Sequence, residues 1–429
     1  MRPVLIKGGR VIDPSQNRDE VADVLLMDGV VAEVGNDIGT PDDAEVVDAV
    51  GKVVAPGFVD VHVHLREPGK EEAETIATGA RSAAAGGFTG VCAMPNTDPV
   101  TDNQAAIGFV IKQAREAEAA RVYPIGTISI GQRGERLAEF GSMISAGAVA
   151  VSDDGRPVVS SHLMRTALEY ARTFDIPVAD HCEEPTLAKG GVMHEGMVST
   201  RLGLKGIPAA AEEIMVARDI LLAELTGGHV HLCHMSTRGS VDLIRRGKDR
   251  GINVTAEATP HHFTLTHDEC SQYDTNTKMN PPLREAEDVD AIREAIADGT
   301  IDVIATDHAP HHYESKERDF DDAPFGITGL ETALGLGMVE LVAPATMALS
   351  VLVRRLSTDP ARIFGLPGGS LVRGTLGDVV VFDPDAKWTV SVDGFVSRSQ
   401  NSPFIGRNLV GRVERTFVGG RTVFQRGSE

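Results

Sequence analysis

The 429-residue chain lacks several features that mark other classes of protein. Its four cysteines, Cys92, Cys182, Cys233 and Cys270, form no CxxC pair, which argues against the disulfide framework of a small secreted protein. No uncharged apolar run approaches the ~20 residues that span a bilayer, and the N-terminal MRPVLIKGGRVIDP has no signal-peptide core. These absences predict a cytoplasmic protein without a membrane partner.

Positive charge is also scarce. Lysine and arginine number 41 against 62 aspartates and glutamates, a formal net charge of -21. This balance argues against nucleic acid as a partner. An acidic protein that binds an anionic substrate needs local cations. An arginine beside a predicted site is therefore a candidate for substrate binding. The glycine-rich GGFTG at 86–90 lacks the GxGxxG arrangement and is interpreted as a helix end rather than a dinucleotide site.

Short apolar, β-branched runs alternate with segments of helical period, a pattern typical of βα units and a parallel sheet. Eight such runs predict a closed (β/α)8 TIM-like barrel of the α/β class. The runs are 58–64, 88–96, 121–128, 147–153, 176–182, 229–234, 252–258 and 301–306. Helical period is clearest at 71–85, 209–225 and 286–299.

The two ends of the chain differ from its middle. Residues 1–53 contain VLIKGGRVID and VADVLLMDGVVAEVG, and residues 368–429 contain LGDVVVFDP and GRVERTFVGGRTVFQ, all in the style of strands and turns. We therefore expect both termini to form one small β-sandwich domain, discontinuous in sequence, and residues 54–367 to form the barrel.

The ends of the predicted barrel strands carry a concentration of metal-binding side chains. In such barrels the functional residues lie at the C-terminal ends of the strands. His62 and His64 are two apart on the first strand, so their imidazoles project from one face. The residues at the strand ends are His62, His64, Asn96, Asp154, His181, His234 and Asp307.

Each of these residues has an ordinary interpretation when taken alone. A single strand histidine is more often a hydrogen-bonded core residue, and an aspartate at a strand end is more often a helix cap or turn residue. Together, four imidazoles and two carboxylates are ligands that Zn²⁺ and similar ions select. Six ligands suit two metals that share a carboxylate and leave a water open for chemistry.

Arg66 supplies the local cation that the acidic composition requires. It lies two residues beyond His64, and its planar guanidinium can hold a substrate carboxylate through two hydrogen bonds. The alternative is a salt bridge to the neighbouring Glu67 or another loop acid.

Seven motifs, in order along the chain, together resemble the dihydroorotases of the amidohydrolase superfamily, most closely the bacterial type I enzymes. The motifs are HVHLREPG at 62–69, MPNT at 94–97, SDDG at 152–155, DHCEE at 180–184, CHMST at 233–237, NPPLR at 280–284 and ATDHAPH at 305–311. The resemblance runs from about residue 4 to the C-terminus.

The resemblance implies two zinc ions per subunit, with Asp154 as the bridging ligand. The implied ligand set is His62, His64, Asp154, His181, His234 and Asp307. Many relatives bridge their metals with a carbamylated lysine, but this chain has no lysine between Lys112 and Lys189, so its fourth strand cannot supply one. Asp153 is chemically identical to Asp154, and the preference for Asp154 depends on the family spacing to His181.

The implied activity is the reversible hydrolysis of (S)-dihydroorotate to N-carbamoyl-L-aspartate in pyrimidine biosynthesis, by a metal-bridging hydroxide with Asp307 as general base and acid. The implied substrate contacts are Arg66, Asn96 and His311 on the carboxylate, and Asn280, Phe325 and Gly326 on the ring. His311 begins a polar loop that could close over the substrate. A homodimer and association with aspartate transcarbamoylase are the macromolecular partnerships that we consider.

Two other functions remain open. A hydantoinase-like or allantoinase-like hydrolase would share the metal chemistry but would not need Arg66 and Asn96, and it usually carries the bridging lysine. A catalytically inactive scaffold for aspartate transcarbamoylase should have lost metal ligands, whereas this chain keeps the whole implied set. His261 and His262 are interpreted as structural residues, and His229 and His231 as packing residues.

Overall fold

The computed structural model describes residues 2–427. Met1, Ser428 and Glu429, which the sequence assigns to the small β-domain, lie outside the described residues. The strands are β1 (Val4–Asp13), β2 (Arg18–Met27), β3 (Val30–Gly35), β4 (Glu45–Asp48), β5 (Val53–Pro56), β6 (Phe58–Val63), β7 (Phe88–Ala93), β8 (Arg121–Pro124), β9 (Val151–Ser152), β10 (Val178–Asp180), β11 (Met193–His194), β12 (Gly206–Ile207), β13 (Val230–Leu232), β14 (Val254–Ala258), β15 (Val303–Ile304), β16 (Val379–Thr389), β17 (Asn408–Val418) and β18 (Arg421–Gln425).

Helices follow most of the central strands. They are α1 (Ile76–Ala85), α2 (Gln104–Ala117), α3 (Phe140–Ala146), α4 (Ser161–Arg172), α5 (Pro185–Ala188), α6 (Met197–Leu202), α7 (Ala210–Thr226), α8 (Arg238–Asp249), α9 (Ala286–Asp298), α10 (Tyr313–Lys316), α11 (Ala333–Gly337), α12 (Leu349–Val353) and α13 (Asp359–Ile363). Within residues 2–427, no helix has both the length and the apolar character needed to cross a membrane.

Eight parallel strands close into a barrel. Strands β6, β7 and β8 form one parallel sheet, and β9, β10, β13, β14 and β15 form another. A bridge between Gly126 and Val151 joins β8 to β9, and a bridge between Val63 and His308 joins β6 to the residues after β15. Each of the eight predicted runs contains one of these strands, so the predicted (β/α)8 barrel is confirmed.

The helix predicted at 71–85 begins later than its period suggests. Thr75 is the N-cap of α1, because its hydroxyl accepts from the backbone N–H of Thr78 while the Thr78 hydroxyl accepts from the backbone N–H of Thr75. This reciprocal pair fixes the first turn at Ile76. The predicted stop at Gly299 is confirmed, since Gly299 caps α9 with a φ of 89°.

Apolar side chains fill both sides of the barrel wall. One buried cluster lies between the strands and the surrounding helices and includes Phe58, Phe88 and Phe140. A second cluster, which includes Val59 and Val303, comes from the alternate strand positions. Because side chains fill the barrel interior, we expect the functional site at the C-terminal ends of the strands.

The strands of both termini form a single eight-stranded sheet in the order β18-β17-β16-β5-β1-β2-β3, with β4 paired to β1. A bridge between Val30 and Leu376 links β3 to the segment before β16, so the sheet curls back upon its own apolar core. The predicted small β-sandwich domain built from both termini is confirmed as part of the fold. The predicted boundary between the small domain and the barrel, at residues 53/54, stays a prediction. Strand β5 (Val53–Pro56) spans this boundary and pairs with both β1 and β16.

Candidate metal centre and substrate cavity

Strand β6 presents His62 and His64 side by side at the barrel mouth. Their ring centroids lie 5.3 Å apart, and both side chains are buried. The pairing of β6 with β7 shifts register between Asp60 and Val63, as in a β-bulge. The Asp60 carboxylate accepts from the backbone N–H groups of His62 and Thr306, which ties β6 to β15 beside the site.

Asp154 lies at the centre of the four predicted histidine ligands. Its Oδ1 is 3.4 Å from His62 Nε2, 3.5 Å from His234 Nε2 and 3.6 Å from His181 Nδ1. Its Oδ2 is 3.4 Å from His64 Nε2. One carboxylate therefore faces imidazoles from three different strand ends.

Asp307 completes the cluster from the end of the eighth strand. Its Oδ1 is 3.0 Å from His64 Nε2 and 3.5 Å from His62 Nε2. Asp307 and His234 have φ values of 46° and 40°, and Arg66 has 61°. Such left-handed backbone is costly for residues other than glycine, and it accumulates at functional sites. Here the backbone turns sharply where these three side chains leave their strands.

The charges in this cluster act strongly on one another. Burial alone would lower the pKa of His62, but Asp154, Glu257 and Asp307 together raise it well above its usual value. Burial alone would raise the pKa of Asp154 and of Asp307, yet the surrounding histidines hold both well below the usual range. Both carboxylates are therefore anions that hold positive charge close to them.

The residues of this cluster fit bound metal, since two groups of three within it, His62, His64 and Asp307 and His62, Asp154 and His234, could each hold an ion. His62 Nε2 and Asp154 Oδ1 are buried and have no hydrogen-bond partner within residues 2–427, although they lie only 3.4 Å apart. His181 Nδ1 and His234 Nε2 face each other at 3.0 Å, and both also face Asp154. Buried lone pairs that converge without donors are costly unless a cation lies between them. Imidazole and carboxylate are the donors that zinc prefers.

Glu257 is a part of the centre that the sequence did not reveal. From β14, its Oε1 accepts from His62 Nδ1 at 2.6 Å and its Oε2 accepts from His231 Nε2 at 3.0 Å. Because His62 donates through Nδ1, Nε2 is the ring atom that faces Asp154 and Asp307. The signal available in the sequence was an acidic residue in TAEA, a strand otherwise suited to the barrel interior.

His231 thus has a polar role beyond the packing that the sequence suggested. Its Nδ1 accepts from the Thr255 hydroxyl at 2.9 Å, and Thr255 also contacts His229 Nε2 at 2.8 Å.

His262 bonds to the Thr259 hydroxyl and the Pro281 carbonyl, at 2.8 and 2.9 Å. It thereby fixes the segment that follows Asn280.

Asp153 points away from the histidines. Its Oδ1 accepts from the backbone N–H groups of Ile128 and Ser129 at 2.8 and 3.0 Å, and its Oδ2 accepts from the Ser129 hydroxyl. Burial raises the pKa of Asp153 to about 6 against these hydrogen bonds. Asp153 and Asp154 are adjacent and chemically identical, but Asp153 binds backbone N–H groups whereas Asp154 faces the four histidines.

A cavity of about 190 Å³ opens beside the cluster. Every predicted site residue except His62, which is buried beneath it, lines this space: His64, Arg66, Asn96, Asp154, His181, His234, Asn280, Asp307, His311, Phe325 and Gly326. A cavity of this size admits a small molecule.

Arg66 lies in this cavity without a carboxylate partner among residues 2–427. Its Nε donates to the Pro310 carbonyl at 3.0 Å, and its Nη2 lies 3.4 Å from His311 Nε2. Glu67, the alternative partner, accepts instead from Gln113 Nε2 and the backbone N–H of Ile76. Burial lowers the pKa of Arg66 to about 10, so the guanidinium is still cationic at neutral pH.

Two other polar residues of the cavity, Asn96 and Asn280, touch the metal cluster, and His311 contacts the loop around Phe325. Asn96 Oδ1 accepts from His64 Nδ1 at 2.9 Å, which leaves the His64 Nε2 lone pair toward the two aspartates. Asn280 Nδ2 donates to Glu183 Oε2 at 2.9 Å and lies 3.4 Å from His181 Nε2. His311 Nε2 donates to the Phe325 carbonyl at 2.7 Å, while burial holds the pKa of His311 well below its usual value.

Comparison with known proteins decides the family. The family described as Dihydro-orotase-like matches residues 51–240. A dihydroorotase from Pelotomaculum thermopropionicum is 56% identical over 422 residues, covering 98% of each chain. Another, from Anaeromyxobacter dehalogenans, is 55% identical over 424 residues, again covering 98% of each. The chain belongs to the dihydroorotase family. The resemblance seen in the seven sequence motifs is therefore confirmed.

The dihydroorotase-family fold is shared more widely. An L-hydantoinase (dihydropyrimidinase) of solved structure from Arthrobacter aurescens aligns with a TM-score of 0.89 at 27% identity, covering 100% of this chain and 97% of that one. This similarity confirms the predicted amidohydrolase type of barrel. It also shows that the fold alone does not distinguish a dihydroorotase-family chain from a hydantoinase.

Proposed function

We propose that this dihydroorotase-family chain catalyses the reversible hydrolysis of (S)-dihydroorotate to N-carbamoyl-L-aspartate, a step of pyrimidine biosynthesis. The supporting observation is that one small cavity joins the four-histidine, two-aspartate cluster to Arg66, a half-buried cation with no carboxylate partner among residues 2–427. A site of this kind suits a cyclic amide that carries a carboxylate.

The metal part of the proposal is two zinc ions per subunit. They would be held by His62, His64, Asp154, His181, His234 and Asp307, with Asp154 shared because its two oxygens face histidines on different sides. When bound, the ions would supply an activated water at neutral pH and polarise the amide carbonyl.

Asp307 is the proposed catalytic base and acid. Its carboxylate lies at the cavity wall, and the neighbouring histidines hold its pKa low, so it is ionised before the reaction. It accepts a proton from the attacking water and returns it to the ring nitrogen as the amide bond breaks. In the biosynthetic direction the same carboxylate takes the proton from that nitrogen.

The substrate contacts divide into two groups. Arg66, Asn96 and His311 line the cavity, where the guanidinium can bind the carboxylate through two hydrogen bonds. Asn280 and the backbone around Phe325 and Gly326 line the same cavity, and we assign them to the pyrimidine ring.

The competing function is hydrolysis of a 5-substituted hydantoin or allantoin. The fold is compatible with it, but the unpartnered Arg66 and the absence of lysine between residues 112 and 189 favour dihydroorotate. The test is turnover of purified, zinc-loaded protein on each compound. We expect hydrolysis of dihydroorotate, and turnover of a hydantoin or allantoin without turnover of dihydroorotate would contradict the proposal.

We further propose that the protein acts in the cytoplasm, binds no nucleic acid and forms a homodimer that associates with aspartate transcarbamoylase. The net charge of -21 supports the exclusion of nucleic acid. Light scattering of the purified protein, alone and mixed with the transcarbamoylase of the same organism, measures both assemblies. A monomeric mass that the second protein leaves unchanged would contradict them.

A further inference from the structure

A segment of the C-terminal chain leaves the small β-domain and reaches the barrel mouth. This strap, residues 396–402, connects β16 to β17. Glu331 holds its beginning, because its carboxylate accepts from the backbone N–H groups of Val396 and Ser397 at 2.9 to 3.0 Å. The strap is therefore fixed to the barrel as well as to the small domain.

The residues just before α1 hold the middle of the strap. The Ser397 hydroxyl donates to Glu74 Oε2 at 2.5 Å, and the Ser399 hydroxyl donates to the Ala73 carbonyl at 2.6 Å. Glu74 is fully buried, and its Oε2 also lies 3.5 Å from His308 Nε2, next to Asp307 in sequence. The anchoring contacts thus reach the residues beside the catalytic centre.

Asn401 extends from the strap to both ends of the substrate loop, residues 309–326. Its Oδ1 accepts from the backbone N–H of His311 at 3.0 Å. Its Nδ2 donates to the carbonyls of Ala309 and Gly326 at 3.2 and 3.1 Å. The side chain is buried and uses its amide oxygen and both amide hydrogens on this loop.

These three hydrogen bonds act on residues that line the cavity. His311 and Gly326 both line it, and His311 Nε2 bonds to the carbonyl of Phe325, which precedes Gly326. Arg66 contacts the same loop through the carbonyl of Pro310. Without Asn401, the His311 amide and two carbonyls would lose a buried partner, and the bond from His311 Nε2 to the Phe325 carbonyl would be left to join the two ends of the loop.

We propose that Asn401 is a positioning residue for substrate. Through the strap, the small β-domain then contributes to the active site. Asn401 holds His311, Gly326 and, through Pro310, the Arg66 guanidinium in the arrangement that receives the substrate carboxylate. This inference rests on the proposed function, because it takes His311 and Gly326 as substrate contacts.

The experiment compares Asn401→Ala with Gln400→Ala, a change at the exposed neighbouring residue of the strap. For Asn401→Ala we expect KM for dihydroorotate to rise by about tenfold or more, as for the loss of more than one hydrogen bond, with zinc content unchanged. Binding of orotate, a planar ring with the same carboxylate, should weaken by a similar factor in calorimetry. Gln400→Ala should match the wild type in both measurements.

Asn401→Asp is a second variant, of nearly the same size, for the case in which the alanine protein does not fold. It keeps the acceptor for the His311 amide but sets an oxygen against the Ala309 and Gly326 carbonyls, so KM should again rise. Wild-type KM in a folded Asn401→Asp protein would overturn the inference. A wild-type enzyme that neither hydrolyses dihydroorotate nor binds orotate would instead overturn the proposed function.

A double-mutant cycle with Arg66→Ala separates positioning from general stabilisation. If Asn401 acts through the carboxylate-binding group, its removal should add little to the weaker orotate binding of Arg66→Ala. Fully independent, multiplicative losses in the double variant would show that Asn401 acts elsewhere and would overturn the inference.

Discussion

The metal side and the substrate side of the cavity are built in different ways. The six proposed metal ligands lie on barrel strands or within a few residues of their C-terminal ends, and they contact one another directly. The proposed substrate side includes the loop 309–326, which Asn401 of the strap contacts at both ends. On this proposal the barrel would support the reactive chemistry, while loops and strap would help to determine which molecule binds beside it.

This difference predicts that the two sides can be damaged separately. Changes on the metal side should lower turnover or metal content, and changes on the substrate side should mainly raise KM. The predictions below test this separation, beginning with the largest effect.

Asp307→Ala should lower kcat by about 10³-fold or more, because it removes both a proposed ligand and the group that transfers the proton. The fold should be intact, since Asp307 belongs to the cavity wall rather than to the apolar core. Steady-state kinetics and circular dichroism measure the two expectations. Activity close to that of the wild type would show that another group is the base.

Asp154→Asn should lower bound zinc from two ions per subunit to one or none, because a neutral amide replaces the carboxylate that faces all four histidines. Asp153→Asn is the matched control. It should keep its zinc and lose only about 1 kcal/mol of unfolding free energy, from weaker hydrogen bonds to Ile128 and Ser129. Metal analysis distinguishes them, and the opposite pattern would make Asp153 the bridge.

Glu257→Gln should weaken zinc affinity by about 10- to 100-fold, the usual range when a group that orients a metal-binding histidine is lost. The amide can still contact His62 but no longer accepts through two charged oxygens. Competition with a chelator measures the affinity. An unchanged zinc affinity would mean that Glu257 only packs inside the barrel.

Arg66→Ala should raise KM for dihydroorotate by about 10- to 30-fold, the equivalent of 1.4 to 2 kcal/mol for lost charge-assisted hydrogen bonds. Zinc content should match the wild type, because Arg66 contacts Pro310 and His311 rather than the proposed ligands. A normal KM would contradict the carboxylate-binding role. A lower zinc content would contradict the separation between the metal side and the substrate side.

The proposed metal ligands and substrate contacts could be named from the sequence, whereas the residues that support them, Asn401 and Glu257, could not. His62, His64 and His181 lie at the C-terminal ends of barrel strands, which always meet at one mouth of the barrel. The alternation of side chains along a strand and the family spacing therefore sufficed to predict that these histidines lie together. Asn401 lies in a segment whose position depends on contacts with Glu331 and Glu74, more than 60 and 320 residues away in sequence. No local pattern reports such contacts.

Glu257 escaped prediction for a different reason. A glutamate in a strand carries no sign of whether it faces the barrel interior, and only its 2.6 Å contact with His62 reveals its partner. Likewise, adjacent aspartates in SDDG are equivalent in sequence and become distinct only through Ser129 on one side and the histidines on the other. Side-chain direction at an irregular strand end is determined by the assembled barrel.

The central claim is that the strand-end cluster binds two metal ions that dihydroorotate hydrolysis requires. The most direct measurement is a zinc titration of metal-free protein in which bound zinc and dihydroorotate turnover are followed on the same sample. We predict that turnover is absent at the start and reaches its maximum at two zinc ions per subunit. Full turnover without metal, or saturation of binding at two ions without any turnover, would contradict this account.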